Sequence, residues 1–407
     1  MLIHWLWLAT RQNLNDWEKA TLLQHFQDPE DIYFADSAAM EALGVKDVAL
    51  LSLLEKDLSP AEQILAQCAQ KDIRICTMQD AAYPARLKNI SDPPLVLYYK
   101  GNLPDLDNVP AIGLVGTRKA SAYGMKTSKN MGYQIAKCGA VLISGLAEGN
   151  DSAGATGALM AGGTVVGVLG CGADVVYPAR NRSLYADTQR SGCLLTEFPP
   201  GTPPYKWNFP RRNRLISGLS CGVLVVEAPE RSGSLITARQ AAEQGRDVFV
   251  VPGNIDVGTF TGSNGLLREG AVAVTCGWDV VGEYAHLYPG KVRCYAENKV
   301  LSVGTSVERK PLMVAQNTRS PEESPVFDGK KEKKPIDNGK SQSYSDIHNA
   351  LSEEDRLILS VLQKGDCLPD DVVAQTGLPT AKVMSALTLL QINGIIIKKP
   401  GNILSLK

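Results

Sequence analysis

Short apolar segments alternate with helix-like segments along the middle of the chain, between Val109 and about Tyr284. The apolar segments are continuous and rich in β-branched residues, as is typical of strands that are buried on both faces of a parallel sheet. We therefore predict an α/β fold in which helices cover both faces of an open, parallel sheet. The predicted strands are residues 111–115, 140–143, 164–169, 193–196, 223–226, 247–251 and 272–275, and the predicted helices are about 121–138, 151–161, 179–190, 211–219, 234–244 and 262–268.

The segments on either side of this alternation differ in character. Residues 1–80 predict a small helical module of the SAM or helix-hairpin-helix kind, which we interpret as a packing accessory, with helices at about 14–26, 36–43, 46–54 and 59–70. The α/β domain spans residues 81–285 and begins with an extended connector that ends in a strand at 95–99. Residues 286–349 are rich in Pro, Ser, Asn, Lys and Glu without periodicity, which predicts a disordered linker.

Residues 350–407 predict three helices followed by a hairpin, which is the winged-helix arrangement of the helix-turn-helix class. This segment contains six Lys/Arg and six Asp/Glu residues, so it has no net charge. The candidate recognition helix, Thr380 to Asn393, carries one cation, Lys382. Protein contact, weak DNA contact and direct reading of a DNA sequence therefore all remain open for this domain.

Composition excludes several classes of protein. The formal net charge is −1, so nucleic-acid binding would have to come from a local basic patch. The nine cysteines form no C-x-x-C pair, which suits a reducing cytoplasm and disfavours a zinc ribbon or a disulfide framework. The apolar N-terminus is short and lacks the basic residues of a signal peptide, and no apolar run is long enough to span a membrane. We expect a cytoplasmic location without membrane association.

The loops that follow the predicted strands carry the candidate chemistry, because ligands of open parallel sheets bind at the carboxyl ends of the strands. Cations and small residues recur in these loops and at the helix starts behind them, where backbone N–H groups can bind phosphate. The sequence has neither the G-x-G-x-x-G nor the G-K-[ST] pattern there, so we expect no dinucleotide cofactor. The candidate residues are Gly116, Thr117, Arg118, Arg180, Arg182, Arg231, Ser232, Gly233 and Ser234.

The segment 207–227 is the centre of this candidate surface. Arg211, Arg212 and Arg214 lie at the start of a predicted helix, where the helix dipole disfavours cations. An anion bound there would remove this conflict. Trp207 and Phe209 precede the arginines, and aromatic rings beside cations are the combination that binds single-stranded nucleic acid. The alternative is a solvated basic turn.

Residues suited to catalysis are scarce near these loops. The four histidines, at positions 4, 25, 286 and 348, all lie outside them, and no acidic cluster suits a metal. This distribution favours binding over catalysis.

Several of these segments, in this order, resemble the DNA-processing protein family DprA, also called Smf, from about Tyr83 to Thr275. The motifs are Gly116-Thr117-Arg118, Ser144-Gly145-Leu146, Leu169-Gly170-Cys171-Gly172, Tyr177-Pro178, Glu197-Phe198-Pro199-Pro200-Gly201, Phe209-Pro210-Arg211-Arg212-Asn213-Arg214 and Ser232-Gly233-Ser234-Leu235-Ile236-Thr237-Ala238.

The resemblance implies an extended Rossmann domain that binds single-stranded DNA more tightly than duplex DNA and forms a homodimer. It also implies that the protein loads the RecA recombinase on incoming strands during natural transformation, without enzymatic turnover. Arg118, Phe209, Arg212, Asn213 and Arg214 match family motif positions implied to contact DNA. Thr117, Asn150 and Ala155 depart from the usual serine, isoleucine and histidine of the family, and the last two put any role of their loop in doubt.

Two other functions remain alternatives. A Rossmann-fold nucleotide phosphoribohydrolase would resemble the chain near Ser232-Gly233-Ser234, but Thr237 stands where the catalytic glutamate of those enzymes should be. A pure interaction scaffold would have no affinity for DNA.

Overall fold

The structure, a computed structural model, describes residues 1–45, 47–295, 353–363, 365–392, 395–399 and 403–406. The chain divides into two compact units, Met1–Val300 and Leu301–Lys407.

A nine-stranded sheet forms the centre of the first unit, in the order β1-β2-β6-β5-β4-β3-β7-β8-β9. All neighbouring pairs from β6 to β9 are parallel, whereas β1 and β2 extend the sheet as antiparallel strands at one end. This confirms the predicted α/β class with a mostly parallel sheet. The strands are β1 (Arg74–Thr77), β2 (Val96–Gly101), β3 (Ala111–Val115), β4 (Val141–Ser144), β5 (Val165–Val168), β6 (Cys193–Thr196), β7 (Gly222–Val225), β8 (Asp247–Val250) and β9 (Val272–Ala273).

Successive residues of each strand point to opposite sides of the sheet, so these apolar strands give both faces side chains to bury. Helices cover both faces. In β3, Ala111 packs with the helices at Asn208–Leu219 and Gly233–Glu243, whereas Ile112 packs with those at Ala122–Lys137 and Asn150–Met160. None of the described helices is both long and apolar enough to cross a lipid bilayer. The helices of this unit are α1 (Leu2–Thr10), α2 (Asp16–Phe26), α3 (Pro29–Phe34), α4 (Ser37–Ala42), α5 (Asp47–Leu54), α6 (Ser59–Gln70), α7 (Ala85–Lys88), α8 (Ala122–Lys137), α9 (Asn150–Met160), α10 (Arg182–Ser191), α11 (Asn208–Leu219), α12 (Gly233–Glu243), α13 (Thr261–Arg268) and α14 (Gly277–Val281).

The N-terminal helices share a core with the end of the sheet. Leu6 and Trp7 of α1 belong to the same buried cluster as Ile73, Leu95 and Tyr98 beside and within β1 and β2. The predicted domain boundary at residue 80 is therefore misplaced, because β1, at residues 74–77, already pairs with β2. The sequence analysis also missed α1 and α3, whose short apolar patterns were not interpreted as helices.

The predicted linker also begins too early. Tyr288 and Val292 pack against the cluster that contains α8, and Arg293 donates to the carbonyls of Lys137 and Cys138. Residues 286–295 thus belong to the first unit. The rest of the predicted linker, 296–349, lies outside the described residues.

The second unit contains the predicted winged helix. It comprises α15 (Glu353–Leu362), α16 (Pro369–Thr376), α17 (Thr380–Ile392) and a hairpin of β10 (Ile396–Lys399) and β11 (Ile403–Leu406). Ile358, Val372, Val383 and Leu404 form its core, and Cys367 forms an antiparallel bridge with Leu404. The structure agrees with the expected three helices and hairpin.

Helices α8 and α9 approach each other through glycines. A Cβ on Gly132 of α8 would lie 2.0 Å from the carbonyl oxygen of Gly154 in α9, and a Cβ on Gly157 would lie 1.9 Å from that of Lys129. The two helices can therefore pack this closely only because these positions lack side chains.

We expect Gly132→Ala to lower the free energy of unfolding by about 2–3 kcal/mol, because the added methyl group must separate the two helices. Helix propensity alone predicts the opposite sign, a gain of about 1 kcal/mol. Gly265→Ala, within α13, is the matched control, because apart from the backbone of that helix the nearest atom to the added Cβ is 3.9 Å away. Denaturant titration of both variants measures the difference, and equal stability of the two would contradict the packing argument.

Candidate nucleic-acid interface

An open groove of about 610 Å³ lies at the carboxyl edge of the parallel sheet. Its walls come from the loops after β3 and β7 and from the first turns of α11 and α12. The structure therefore brings together most of the residues that the sequence analysis selected. Those that line the groove are Gly116, Thr117, Arg118, Phe209, Arg212, Asn213, Arg231, Ser232, Gly233 and Ser234.

Four cations around the groove are exposed: Arg118, Lys119, Lys206 and Arg231. None of the four forms an ion pair with a carboxylate of the described residues. The sequence analysis missed Lys119 and Lys206, although each is adjacent or nearly adjacent to a selected residue. Together they give the groove a positive charge that the protein leaves unpaired.

An aromatic surface lies beside these cations. The ring of Phe209 contacts that of Tyr177, with centroids 5.4 Å apart, and the guanidinium of Arg118 lies 5.2 Å from the Phe209 ring centroid. Tyr177 also lines the groove and is exposed, although the sequence analysis used it only as part of a motif. This arrangement offers a flat ring face and a cation to one ligand.

The start of α12 forms another part of the wall. The Ser232 hydroxyl caps the helix by accepting from the Ser234 backbone N–H at 3.4 Å, and the two serine hydroxyls are 2.7 Å apart. Gly233 has open space where its Cβ would be. Asn213 of α11 donates to the Gly233 carbonyl at 3.5 Å, so the two helix starts are joined.

The loop after β3 is held from below by Asn150, the first residue of α9. A Cβ on Gly116 would lie 2.4 Å from the Asn150 side chain, so the loop needs glycine for this close approach. Thr117 donates its backbone N–H to the Glu227 carbonyl at 2.7 Å. The side chain of Asn150 also hydrogen-bonds to the Ser128 hydroxyl at 2.8 Å, which fixes α8 to the same point. Asn150 therefore braces the loop that carries Arg118.

Arg212 lies beneath the groove and is only 4% exposed. It donates to the backbone carbonyls of Gly145, at 3.0 Å, and Val168. Asp151 is its buried counter-charge. Burial lowers the pKa of Arg212, an effect that Asp151 opposes. The predicted role of Arg212 in contacting DNA stays a prediction, but the contacts of the guanidinium are with the protein itself.

Arg211 and Arg214 are neutralised by the protein rather than by a bound anion. Asp16 of α2 lies 2.7 Å from Arg211 and 3.0 Å from Arg214, and Glu197 lies 3.0 Å and 2.8 Å from the same guanidinium groups. Asp92 adds a further contact with Arg214 at 3.3 Å. The conflict between these cations and the helix dipole is therefore relieved within the protein, because the N-terminal module and the loop after β6 supply the carboxylates.

Arg180 and Arg182 do not line the groove. Both are exposed, and Arg180 forms an ion pair with Glu148. Glu148 borders a smaller cavity of about 70 Å³ that Arg118, Tyr177 and Phe209 also line. Arg180 thus lies close to the groove but already has a partner.

Asp151 is the buried carboxylate nearest to the groove wall. Burial raises the pKa of Asp151 to about 6, although Arg212 and the backbone N–H groups of Ala147 and Gly116 stabilise its charged form. Thr237, the position at which a phosphoribohydrolase would have its glutamate, is buried in α12. Among the residues that the structure describes, no group of three or more His, Cys, Asp or Glu side chains could hold a metal ion.

The fold and the groove define an α/β protein with an unpaired basic and aromatic surface at its carboxyl edge and with a winged helix in its second unit. Residues 74–285 match the family model of DNA recombination-mediator protein A, and residues 346–402 match that of the DprA winged helix domain. The chain belongs to this family of DNA recombination mediators.

Individual relatives agree with this assignment. The chain is 32% identical over 389 residues to Protein Smf of Synechocystis sp., a match that covers 93% of this chain and 92% of the relative. It is 45% identical over 205 residues to the DNA processing protein DprA of Streptococcus pneumoniae, covering 50% of this chain and 72% of the relative. The X-ray structure of the latter protein aligns with a TM-score of 0.62 and 33% identity, covering 70% of this chain and 98% of that one.

We expect Arg212→Ala to lower the free energy of unfolding by about 2–3 kcal/mol, because the buried carbonyls of Gly145 and Val168 lose their donor and Asp151 loses the charge that opposes its own. Arg118→Ala should change stability by less than about 0.5 kcal/mol, because Arg118 is exposed. Denaturant titration measures both. The loss for Arg212→Ala should shrink at pH 5, where Asp151 can be neutral. A fully stable Arg212→Ala variant would show that the buried pair does not hold this edge together.

A pH dependence follows from the pKa of Asp151, which rises from an ordinary value of 3.8 to about 6 on folding. The folded state then holds a proton that the unfolded state loses, so this residue makes the protein less stable as the pH rises. We expect the difference in unfolding free energy between the wild type and Asp151→Asn to fall by about 1.4 kcal/mol from pH 5 to pH 8. A difference that stays constant across this range would contradict the raised pKa.

Proposed function

We propose that the groove at the carboxyl edge binds single-stranded DNA, as the DNA-binding step of a recombination mediator. The observation that carries this proposal is the set of four exposed cations without carboxylate partners among the described residues, arranged around a groove that also presents Phe209 and Tyr177. An extended strand presents phosphates and unpaired bases together, which matches cations and ring faces on one surface.

Each wall has its own part in this proposal. Arg118, Lys119, Lys206 and Arg231 bind phosphates. The open backbone at Gly233 and the first turn of α12 accept a phosphate at a helix N-terminus. Phe209 and Tyr177 contact a base, which duplex DNA keeps stacked, so duplex DNA binds more weakly. Arg211, Arg212 and Arg214 act on DNA indirectly, by fixing the first turn of α11.

We extend the proposal to the biological setting of the family. The protein protects incoming single strands, loads RecA on them during natural transformation, acts as a homodimer through the α/β domain and works in the cytoplasm. These parts are supported by membership of a family of DNA recombination mediators.

The proposal is tested by fluorescence anisotropy of a labelled poly-dT strand titrated with the full-length protein at several salt concentrations. For a single strand, the slope of log affinity against log salt is about −0.7 per neutralised phosphate. We expect Arg118→Ala to weaken binding by roughly tenfold and to reduce the magnitude of this slope by about 0.7, because one phosphate contact is lost.

Arg190→Ala is the matched control. Arg190 is an exposed arginine near the end of α10, just before β6 begins, and it is therefore at the opposite edge of the sheet. Its removal changes the net charge equally and should leave affinity nearly unchanged. Equal losses of affinity in Arg118→Ala and Arg190→Ala would show that net charge, and not the groove, determines binding. A wild-type protein without affinity for the strand would refute the proposal.

A further inference from the structure

A stacked pair of exposed aromatic rings lies outside the groove wall, in the turn just before α11. The rings of Tyr205 and Trp207 have centroids 4.7 Å apart and are nearly parallel, with an angle of 9° between their planes. Trp207 is 70% exposed and Tyr205 is 45% exposed. Neither ring lines the groove described above. The sequence analysis named Trp207 as an aromatic residue beside the arginines but did not name Tyr205.

Hydrogen bonds close the turn that carries these rings. The backbone N–H of Tyr205 donates to the Pro203 carbonyl at 2.9 Å, and that of Asn208 donates to the Tyr205 carbonyl at 3.0 Å. The buried side chain of Asn208 anchors the turn by donating to the Gly170 carbonyl at 3.1 Å, at the end of β5. Because the turn is closed by these bonds and its two rings already stack on each other, less of the entropic cost of ordering remains when a ligand binds to them.

The pair is continuous with the groove. Pro204 and Lys206, the residues on either side of Tyr205, both line the groove wall, and Trp207 is followed within two residues by Phe209. Lys206 is exposed and forms no ion pair with a carboxylate of the described residues. A strand leaving the groove past Lys206 would thus reach the exposed ring of Trp207.

We infer that Tyr205 and Trp207 form a stacking platform for a base of single-stranded nucleic acid, adjacent to the groove and beyond its aromatic contact at Phe209. This inference rests on the proposed function of the groove. An unpaired base that stacks on the free face of the Trp207 indole adds a third parallel ring to this pair. Stacking of this kind tolerates any base, because every base has a π face. The neighbouring Lys206 supplies a cation for the phosphate of the same nucleotide.

The test uses full-length wild type, Trp207→Ala, Trp207→Phe and Arg118→Ala with a series of labelled dT strands of increasing length. We expect Trp207→Ala to bind long strands about tenfold more weakly, the order of loss typical of one stacked base. For the shortest strand that the wild type still binds, Trp207→Ala should have the same affinity as the wild type, because that strand occupies only the groove. Trp207→Phe keeps a flat ring and should restore most of the affinity.

Trp17→Ala is the matched control, because Trp17 is also exposed, at 58%, but lies on α2 in the N-terminal module. Thermal unfolding of each variant checks that the fold is kept. Ultraviolet cross-linking of a 5-bromodeoxyuridine strand, followed by mass spectrometry, should place an adduct on Trp207 or Tyr205 in the wild type and should lose it in Trp207→Ala.

Each outcome is decisive. If Trp207→Ala binds strands of every length with wild-type affinity while Arg118→Ala binds more weakly, the inferred platform is wrong. The proposed function of the groove is then unaffected. An equal loss in Trp207→Ala and Trp207→Phe would also overturn the platform, because the ring would not be the source of the affinity. A wild type that binds no strand would overturn both the platform and the proposed function.

Discussion

Every charge that α11 buries must be neutralised by another part of the chain, and this requirement organises the first unit. Asp16 and Glu197 pair with the buried Arg214 and also with its exposed neighbour Arg211, while Asp151 opposes the charge of the buried Arg212. The partners come from the N-terminal helices, the loop after β6 and the start of α9. Removing one partner from such a cluster leaves an uncompensated charge in the interior, which costs more than the pair contributes. The first turn of α11 is therefore held from three directions.

The division of labour among the arginines could have been predicted in part from helical spacing. Arg212 stands at i−3, i−4 and i−7 from Leu215, Ile216 and Leu219, so it shares the buried face of the helix with them. Arg211 and Arg214 are three residues apart and share another face. What spacing could not supply is the identity of their partners, because Asp16 is almost 200 positions away. Arg118 has no such apolar neighbours on a helix, and the structure leaves it exposed.

Strand patterns predicted the central sheet well, because continuous β-branched runs are typical of strands buried on both faces. The boundaries of the domain were less predictable. The segment Arg74–Thr77 is only four residues long and begins exposed and ends buried, and its pairing with β2 makes it part of the sheet. Residues 286–295 are polar enough to suggest a linker, but Tyr288 and Val292 find apolar surface beside α8. In both places a distant partner, absent from the local pattern, determines the structure.

Backbone carbonyl oxygens without a ladder partner at the carboxyl edge of a sheet carry a partial negative charge, and such oxygens repel an approaching anion. The guanidinium of Arg212 covers two of them, those of Gly145 and Val168, from within the protein. In this way, a residue that is almost hidden from solvent makes the floor of the groove less repulsive to a polyanion. An uncharged residue of the same shape would leave these carbonyl oxygens uncovered. They would then repel the same phosphates that the exposed cations on the rim attract.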